Sequence, residues 1–291
     1  MKSTLLDLSG KIEEVALSLY ETLSRAAGSL GLRFFVVGAA ARDMILAHGY
    51  GRPAKLATVD VDIGLCAADW AEFKRLKEAL LATNDFKETK RVHALLYREV
   101  LPVDIIPYGA IAGTSRTISW PPDQSMVMSV AGFDEAYEAA QVIRLRANPP
   151  LDVPFASPVG LALMKIVAWG DRASDRDALD LDHLIDTYLD LGNFERLLDD
   201  HAGLLESLRF DNALAGSRLL GRDIGRMVGP AMKNAIVEIL ERETAESGRY
   251  LLVRRMMQGP GLTEEEDKNS FEVKLALLRE LLQGIREPSP V

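Results

Sequence analysis

The sequence predicts an α+β protein: a mixed β-sheet with flanking helices in the first half, followed by an α-helical domain. Two observations carry this prediction. Up to about residue 146, short apolar runs of strand length alternate with stretches of helical period. Beyond a stretch holding four prolines (Pro149, Pro150, Pro154 and Pro158), apolar residues recur almost wholly at helical spacing. The domain boundary is placed in that stretch, giving domains 1–155 and 156–291.

In chain order, residues 5–28 read as an amphipathic helix, with Ile12, Val15, Ala16, Leu19 and Leu23 on one face, ended by Gly28 and Gly31. Phe34–Val37 is a short apolar strand closed by Gly38. Residues 39–47 have the composition of a short helix, and residues 48–53 read as a loop. A second strand covers Val59–Leu65, and a helix follows over Ala68–Thr83. Further strands are expected at Ala94–Tyr97, Val103–Ile106, Met126–Val130 and Val142–Leu145. In the second half, helices are expected over Leu161–Trp169 and from Ser174 onward. The acidic run Glu264–Asp267 reads as the first turn of the last helix.

The chain has 291 residues, 48% of them hydrophobic and 26% charged, which is a globular composition with room for two domains. The net charge of −9, from 34 Lys+Arg against 43 Asp+Glu, argues against a general polyanion binder. It does not exclude a nucleotide substrate, because carboxylates that hold metal ions themselves add negative charge. Met1–Asp7 lacks the apolar run of a secretory signal, and no apolar run reaches membrane-spanning length. Cys66 stands alone and cannot form an internal disulfide. The expectation is a cytoplasmic protein with no membrane partner. The four histidines show no metal-ligand spacing and are given no role.

The strongest local signal is Thr58–Leu65, which contains Asp60 and Asp62. Side chains in a strand alternate faces, so the two aspartates share one face while Val59, Val61 and Ile63 share the other. Two adjacent carboxylates repel unless a positive charge sits between them, and a hard divalent cation such as Mg²⁺ prefers oxygen ligands. In Pro102–Pro107, Asp104 stands among apolar neighbours, where a charge costs desolvation unless paired or metal-bound. If this strand lies beside the first, Asp104 becomes a third carboxylate at one site. Three such groups can hold two metal ions for in-line phosphoryl or nucleotidyl displacement. Asp104 is then either a metal ligand or the general base for the acceptor.

Upstream, Val36–Asp43 ends a strand in Gly38-Ala39 and opens a helix. The small residues allow a phosphate to approach the backbone N–H groups, and Arg42 could add a bidentate phosphate contact. Tight packing by alanines is the plainer reading of the same turn.

Taken together, the strand–Gly-Ala-x-x-Arg-Asp turn, Asp-x-Asp and the lone strand aspartate resemble the DNA polymerase β-like nucleotidyltransferase superfamily. Val37–Asp43 is similar to the turn and Arg-Asp pair of tRNA CCA-adding relatives. Ala39 departs from the serine or glycine that many members carry. In the helical half, Lys165, Arg172, Arg176-Asp177 and Asp180-Leu181 resemble the C-terminal motifs of AbiE-type abortive-infection toxin nucleotidyltransferases. The resemblance covers residues 34–188.

It implies a nucleotidyltransferase-type sheet and a helical domain that closes a nucleotide cleft. It also implies Lys165 and Arg172 on the nucleotide phosphates and Asp177 completing the site, with Asp180 as second choice. From its position alone, Asp177 reads equally as a helix cap. The implied reaction is Mg²⁺-dependent transfer of an NMP from an NTP to a tRNA 3′ end or a protein side chain, in a toxin–antitoxin or phage-defence pair with a cognate antitoxin. A small-molecule (antibiotic-type) nucleotidyltransferase and a non-catalytic nucleotide- or partner-binding relative are the alternatives. Arg218, Arg222 and Arg226 line one helix face, read as solvated rather than as an RNA track, and Trp120 reads as a packing residue.

Overall fold

A computed structural model describes residues 5–52, 60–257 and 264–288. The chain divides into two compact units, 1–161 and 162–291. Among the described residues, no helix is long and apolar enough to cross a membrane.

The first unit runs β1 (Leu6–Asp7), α1 (Glu14–Ser29), β2 (Arg33–Val37), α2 (Gly38–Asp43), β3 (Val61–Cys66), α3 (Trp70–Leu81), β4 (Phe86–Glu88), β5 (Ala94–Tyr97), β6 (Leu101–Tyr108), β7 (Thr117–Ser119), β8 (Val127–Ser129), α4 (Phe133–Glu138), β9 (Gln141–Arg146) and β10 (Leu151–Phe155). Eight strands form one mixed sheet in the order β1-β9-β10-β2-β3-β6-β5-β4, and β7 and β8 pair as a separate hairpin. At its centre β2 and β3 run antiparallel, while β3 and β6 run parallel.

Alternation along the central strands separates core from site. Val61, Ile63 and Leu65 of β3, with Val103 and Ile105 of β6, are buried on one face. The other face carries Asp62 and Asp104 near the strand starts and turns apolar further along. There Phe35 meets Tyr108, Phe133 and Tyr137 edge to face. Gly64 is small because a Cβ on it would run into the Phe35 ring.

Several elements differ from the sequence expectation. The first helix begins at Glu14, and Leu6–Asp7 forms an edge strand parallel to β9. That pairing joins residues far apart in sequence, which local periodicity does not register. The strands β4, β7 and β10 and the helix α4 are each only three to six residues long, too short to display a period. The proline-dense stretch expected to separate domains carries β10, which lies inside the sheet between β9 and β2. Its alternate residues Leu151, Val153 and Phe155 are buried, and Pro154 takes a place in the ladder opposite Val142. The two compact units divide within α5 (Pro158–Arg172).

The second unit continues with α6 (Asp175–Thr187), α7 (Asn193–Asp200), α8 (Ala202–Ser207), α9 (Asn212–Met227), α10 (Pro230–Thr244), α11 (Leu251–Met256) and α12 (Glu264–Arg286). The pair α9–α12 is its spine. A Cβ on Gly221 would overlap the Leu281 carbonyl, and one on Gly284 would overlap that of Arg218, so the two backbones touch. Ser217 Oγ donates to Leu277 O at 2.7 Å across the same contact.

The arginine stripe of α9 is not a solvated face. Arg218 pairs with Glu280 at 2.8 Å, Arg222 with Glu287, and Arg226 with Asp223. Asp223 also accepts from Arg196 and from the buried Tyr188 hydroxyl. These arginines bind their own unit together.

Gly221→Ala therefore lowers stability by roughly 1–3 kcal/mol through overpacking, although alanine favours a helix by about 1 kcal/mol. Gly203 of α8 has open space around its Cβ position, so Gly203→Ala is neutral or stabilising. Urea midpoints of the two variants check the contrast.

Candidate active site

The register of β3 and β6 builds the acidic centre. Asp62 pairs with Asp104 across the parallel ladder, so both side chains leave the same face at adjacent strands. Asp60 lies one residue before β3 and two before Asp62, hence on that side as well. One carboxylate oxygen from each of Asp60, Asp62 and Asp104 lies within 4.8 Å of the others.

Gly38 shapes the space beside them. Val37 pairs with Asp62 across β2 and β3, and the chain turns into α2 at the next residue. Gly38 has φ +64°, and a Cβ there would overlap the Asp62 carboxylate. Glycine is required twice over, by backbone conformation and by space. Ala39 follows in the first turn of α2. Arg42 is buried, with its Nε donating to Asp43 Oδ1 at 2.8 Å and its Nη2 at 2.7 Å from the same oxygen.

Asp104 is 8% exposed and meets two side chains that the sequence reading did not single out. Arg91 Nη1 donates to Oδ2 at 3.3 Å, and Nη2 lies 3.2 Å from Oδ1 as a charge contact that leaves Oδ1 without a hydrogen bond. His93 Nε2 lies 3.8 Å from Oδ2, and its ring packs on the buried Trp120 at 5.2 Å between centroids. Burial pushes the Asp104 carboxyl above its ordinary value, Arg91 and His93 pull it back, and Asp60 adds to the rise. Burial also lowers His93, against the attraction of Asp104. Trp120 packs among Trp70, Phe73 and His93. The pairing of β5 with β6 sets Ala94 opposite Asp104 and so brings Arg91 and His93 to the site. Both strands were expected from sequence, but their pairing was not, and that pairing was the available signal.

In the helical unit, Lys165, Arg172, Asp177 and Asp180 form one cluster. Lys165 Nζ lies 3.0 Å from Asp177 and 2.7 Å from Asp180, which share a face of α6 three residues apart. Arg172, in the last turn of α5, donates to both Asp177 oxygens at 2.7 and 2.9 Å. Asp177 is fully buried, and its carboxylate is shared by the two cations. Ser174 occupies the N-cap position of α6 without a side-chain cap bond. Burial alone would raise Asp177, but the Arg172 hydrogen bonds and the Lys165 charge hold it below its ordinary value. Burial likewise disfavours the Lys165 charge, and Asp180 and Asp177 outweigh it to raise Lys165.

A mixed sheet that gathers three carboxylates beside a glycine turn is an arrangement used by enzymes of phosphoryl and nucleotidyl transfer. The family model described as the nucleotidyl transferase AbiEii toxin of type IV toxin–antitoxin systems matches residues 7–245, and the chain belongs to that family. It is a nucleotidyltransferase, an enzyme that transfers an NMP from an NTP.

Similar solved structures include the antibiotic-resistance factor ANT(2'')-Ia, at 15% identity and TM-score 0.38, covering 68% of this chain and 98% of that one. An apo form of a CCA-adding enzyme is similar at 14% identity and TM-score 0.32, covering 89% and 67%. The Thermotoga maritima CCA-adding enzyme complexed with tRNA is similar at 12% identity and TM-score 0.27, covering 96% and 85%. No curated protein matches the chain.

Because Asp177 is held below its ordinary value of 3.8, its stabilisation is present above about that pH and is lost as the pH falls through the lowered value. The raised Lys165 contributes below its ordinary 10.5 and is lost as the pH rises past its folded value. Asp177→Asn costs roughly 3 kcal/mol at neutral pH, since it breaks a buried pair on one side. The gap between variant and wild type narrows at acid pH, where the wild type loses the same interaction. Urea unfolding of both proteins from pH 7 down to pH 3 measures it.

Proposed function

We propose that the protein transfers an NMP from an NTP to an acceptor hydroxyl, at a tRNA 3′ end or on a protein side chain. In this reading it acts as the toxin of a toxin–antitoxin or phage-defence pair, in the cytoplasm and opposite a cognate antitoxin. The family supports the toxin setting. The observation that carries the chemistry is the convergence of Asp60, Asp62 and Asp104 within 4.8 Å beside the glycine turn.

The donor set fits Mg²⁺. Three hard carboxylate oxygens converge, and Gly38 leaves the space beside Asp62 clear of a side chain. Asp60 and Asp62 are the proposed ligands, with Asp104 completing the set or accepting the proton of the acceptor hydroxyl. When bound, the metal would neutralise the triphosphate and favour the ionised acceptor oxygen. The remaining work falls to the chain. The small residues Gly38 and Ala39 let the triphosphate approach backbone N–H groups, and Arg42 holds the same turn. Lys165 and Arg172, oriented by Asp177 and Asp180, are the proposed cations for the phosphate charge that develops in the transition state.

Asp62→Asn keeps the size of the side chain and removes its charge. The expected outcome is a loss of NMP transfer of at least about a hundredfold, with an unchanged circular dichroism spectrum. Each α-labelled NTP is incubated with Mg²⁺ and total RNA or total protein. Label on tRNA supports the RNA acceptor and label on protein the side-chain acceptor. Transfer at the wild-type rate by the variant would remove Asp62 from the site.

A further inference from the structure

The acidic centre holds a charge problem that the metal reading does not by itself solve. Three carboxylates within 4.8 Å repel one another whenever no divalent ion lies between them. A protein that releases and rebinds its metal must survive that state. The chain supplies a cation of its own at Asp104. Arg91 donates to Asp104 Oδ2 at 3.3 Å and holds its other terminal nitrogen 3.2 Å from Oδ1, a charge contact without a hydrogen bond, so the guanidinium stands where a metal would meet this carboxylate.

Two further features make this contact exchangeable. The backbone of Arg91 is tied down. Its N–H donates to Thr89 Oγ1 at 3.1 Å, while its carbonyl accepts from Ala94 N at 3.1 Å and from the Thr89 hydroxyl at 3.2 Å. The next residue is held as well, because Lys77 Nζ donates to Val92 O at 2.7 Å. The side chain, by contrast, is 53% exposed. The guanidinium is therefore delivered to a fixed place by a hydrogen-bonded turn, yet it can leave for solvent without moving the backbone. Water screens the exposed guanidinium although the carboxylate it meets is buried, and a divalent ion brings twice the charge to oxygen donors that suit it.

We infer that Arg91 is a built-in competitor of the metal. It neutralises Asp104 in the metal-free protein and is displaced when the ion binds. The inference rests on the proposed role of Asp60, Asp62 and Asp104 as metal ligands. The opposite role, Arg91 holding Asp104 in a ligating orientation, predicts the opposite sign.

The test is Mn²⁺ affinity without nucleotide, read from the electron paramagnetic resonance signal of free Mn²⁺ with the full chain. Arg91→Gln binds Mn²⁺ roughly threefold to tenfold more tightly than wild type. Arg91→Lys, which keeps the charge but loses the planar guanidinium, falls between the two. Asp62→Asn loses the binding, which assigns the counted ion to this centre. Wild-type binding that Arg91→Gln leaves unchanged or weakens overturns the inference and leaves the metal site standing. No binding by wild type, or equal binding by Asp62→Asn, overturns the metal site and the inference with it.

Discussion

The register between β3 and β6 is the constraint on which the site depends. It sets Asp62 opposite Asp104, and a slip of one residue would turn one carboxylate through the sheet into the core. The apolar face fixes that register. Val61, Ile63 and Leu65 on one strand and Val103 and Ile105 on the other are buried together. A slip would expose them while burying aspartates, and burying an unpaired charge costs several kcal/mol. Hydrophobic packing on one face thus holds the like charges of the other face together.

Family membership makes the chain a nucleotidyltransferase, and the fold explains why particular residue types stand at this acidic centre. Gly38 cannot carry a side chain because Asp62 lies against it. Asp104 tolerates its burial because the turn before β5 brings Arg91 and His93 beside it. The same sheet that aligns the carboxylates therefore supplies their counter-charge, through the antiparallel pairing of β5 with β6.

How much of this could be read from sequence follows from the range of each signal. The β5 strand was legible to its end residues, and Asp60, Asp62 and Asp104 stood out because charges among apolar strand residues demand a reason. The body of α1 was legible by period, through Val15, Ala16, Leu19 and Leu23. What escaped depends on pairing partners distant in the chain or on elements too short to show a period. Leu6–Asp7 is a strand only because β9 lies beside it, and β10 was masked by prolines that look like linker. His93 was passed over because histidine spacing says nothing about a carboxylate on the neighbouring strand. The arginine stripe of α9 was misread for a related reason. Its helical spacing was visible, but the glutamates that answer it, Glu280 in α12 and Glu287 just after it, lie some sixty residues on.

Those pairs also bear on the acidity of the chain. The net charge of −9 is not concentrated in the site, which accounts for three carboxylates. In the helical unit the buried acids are matched by cations within reach: Asp177 and Asp180 by Lys165, Asp177 also by Arg172, Asp182 by Lys274, and Asp223 by Arg196. Lys165, Lys274 and Arg196 are themselves largely buried, and removing one of them strands a charge in a low-dielectric interior, whereas Arg172 is 56% exposed and adds to a pair that Lys165 already holds. Asp104 in the sheet unit is paired instead with Arg91, whose side chain is half in water, in place of a buried lysine such as Lys165. A permanent buried partner would close Asp104 to any incoming cation. A more exposed one protects it against its neighbours while leaving it open to a stronger ligand, which is the arrangement that the proposed binding of metal at this centre calls for.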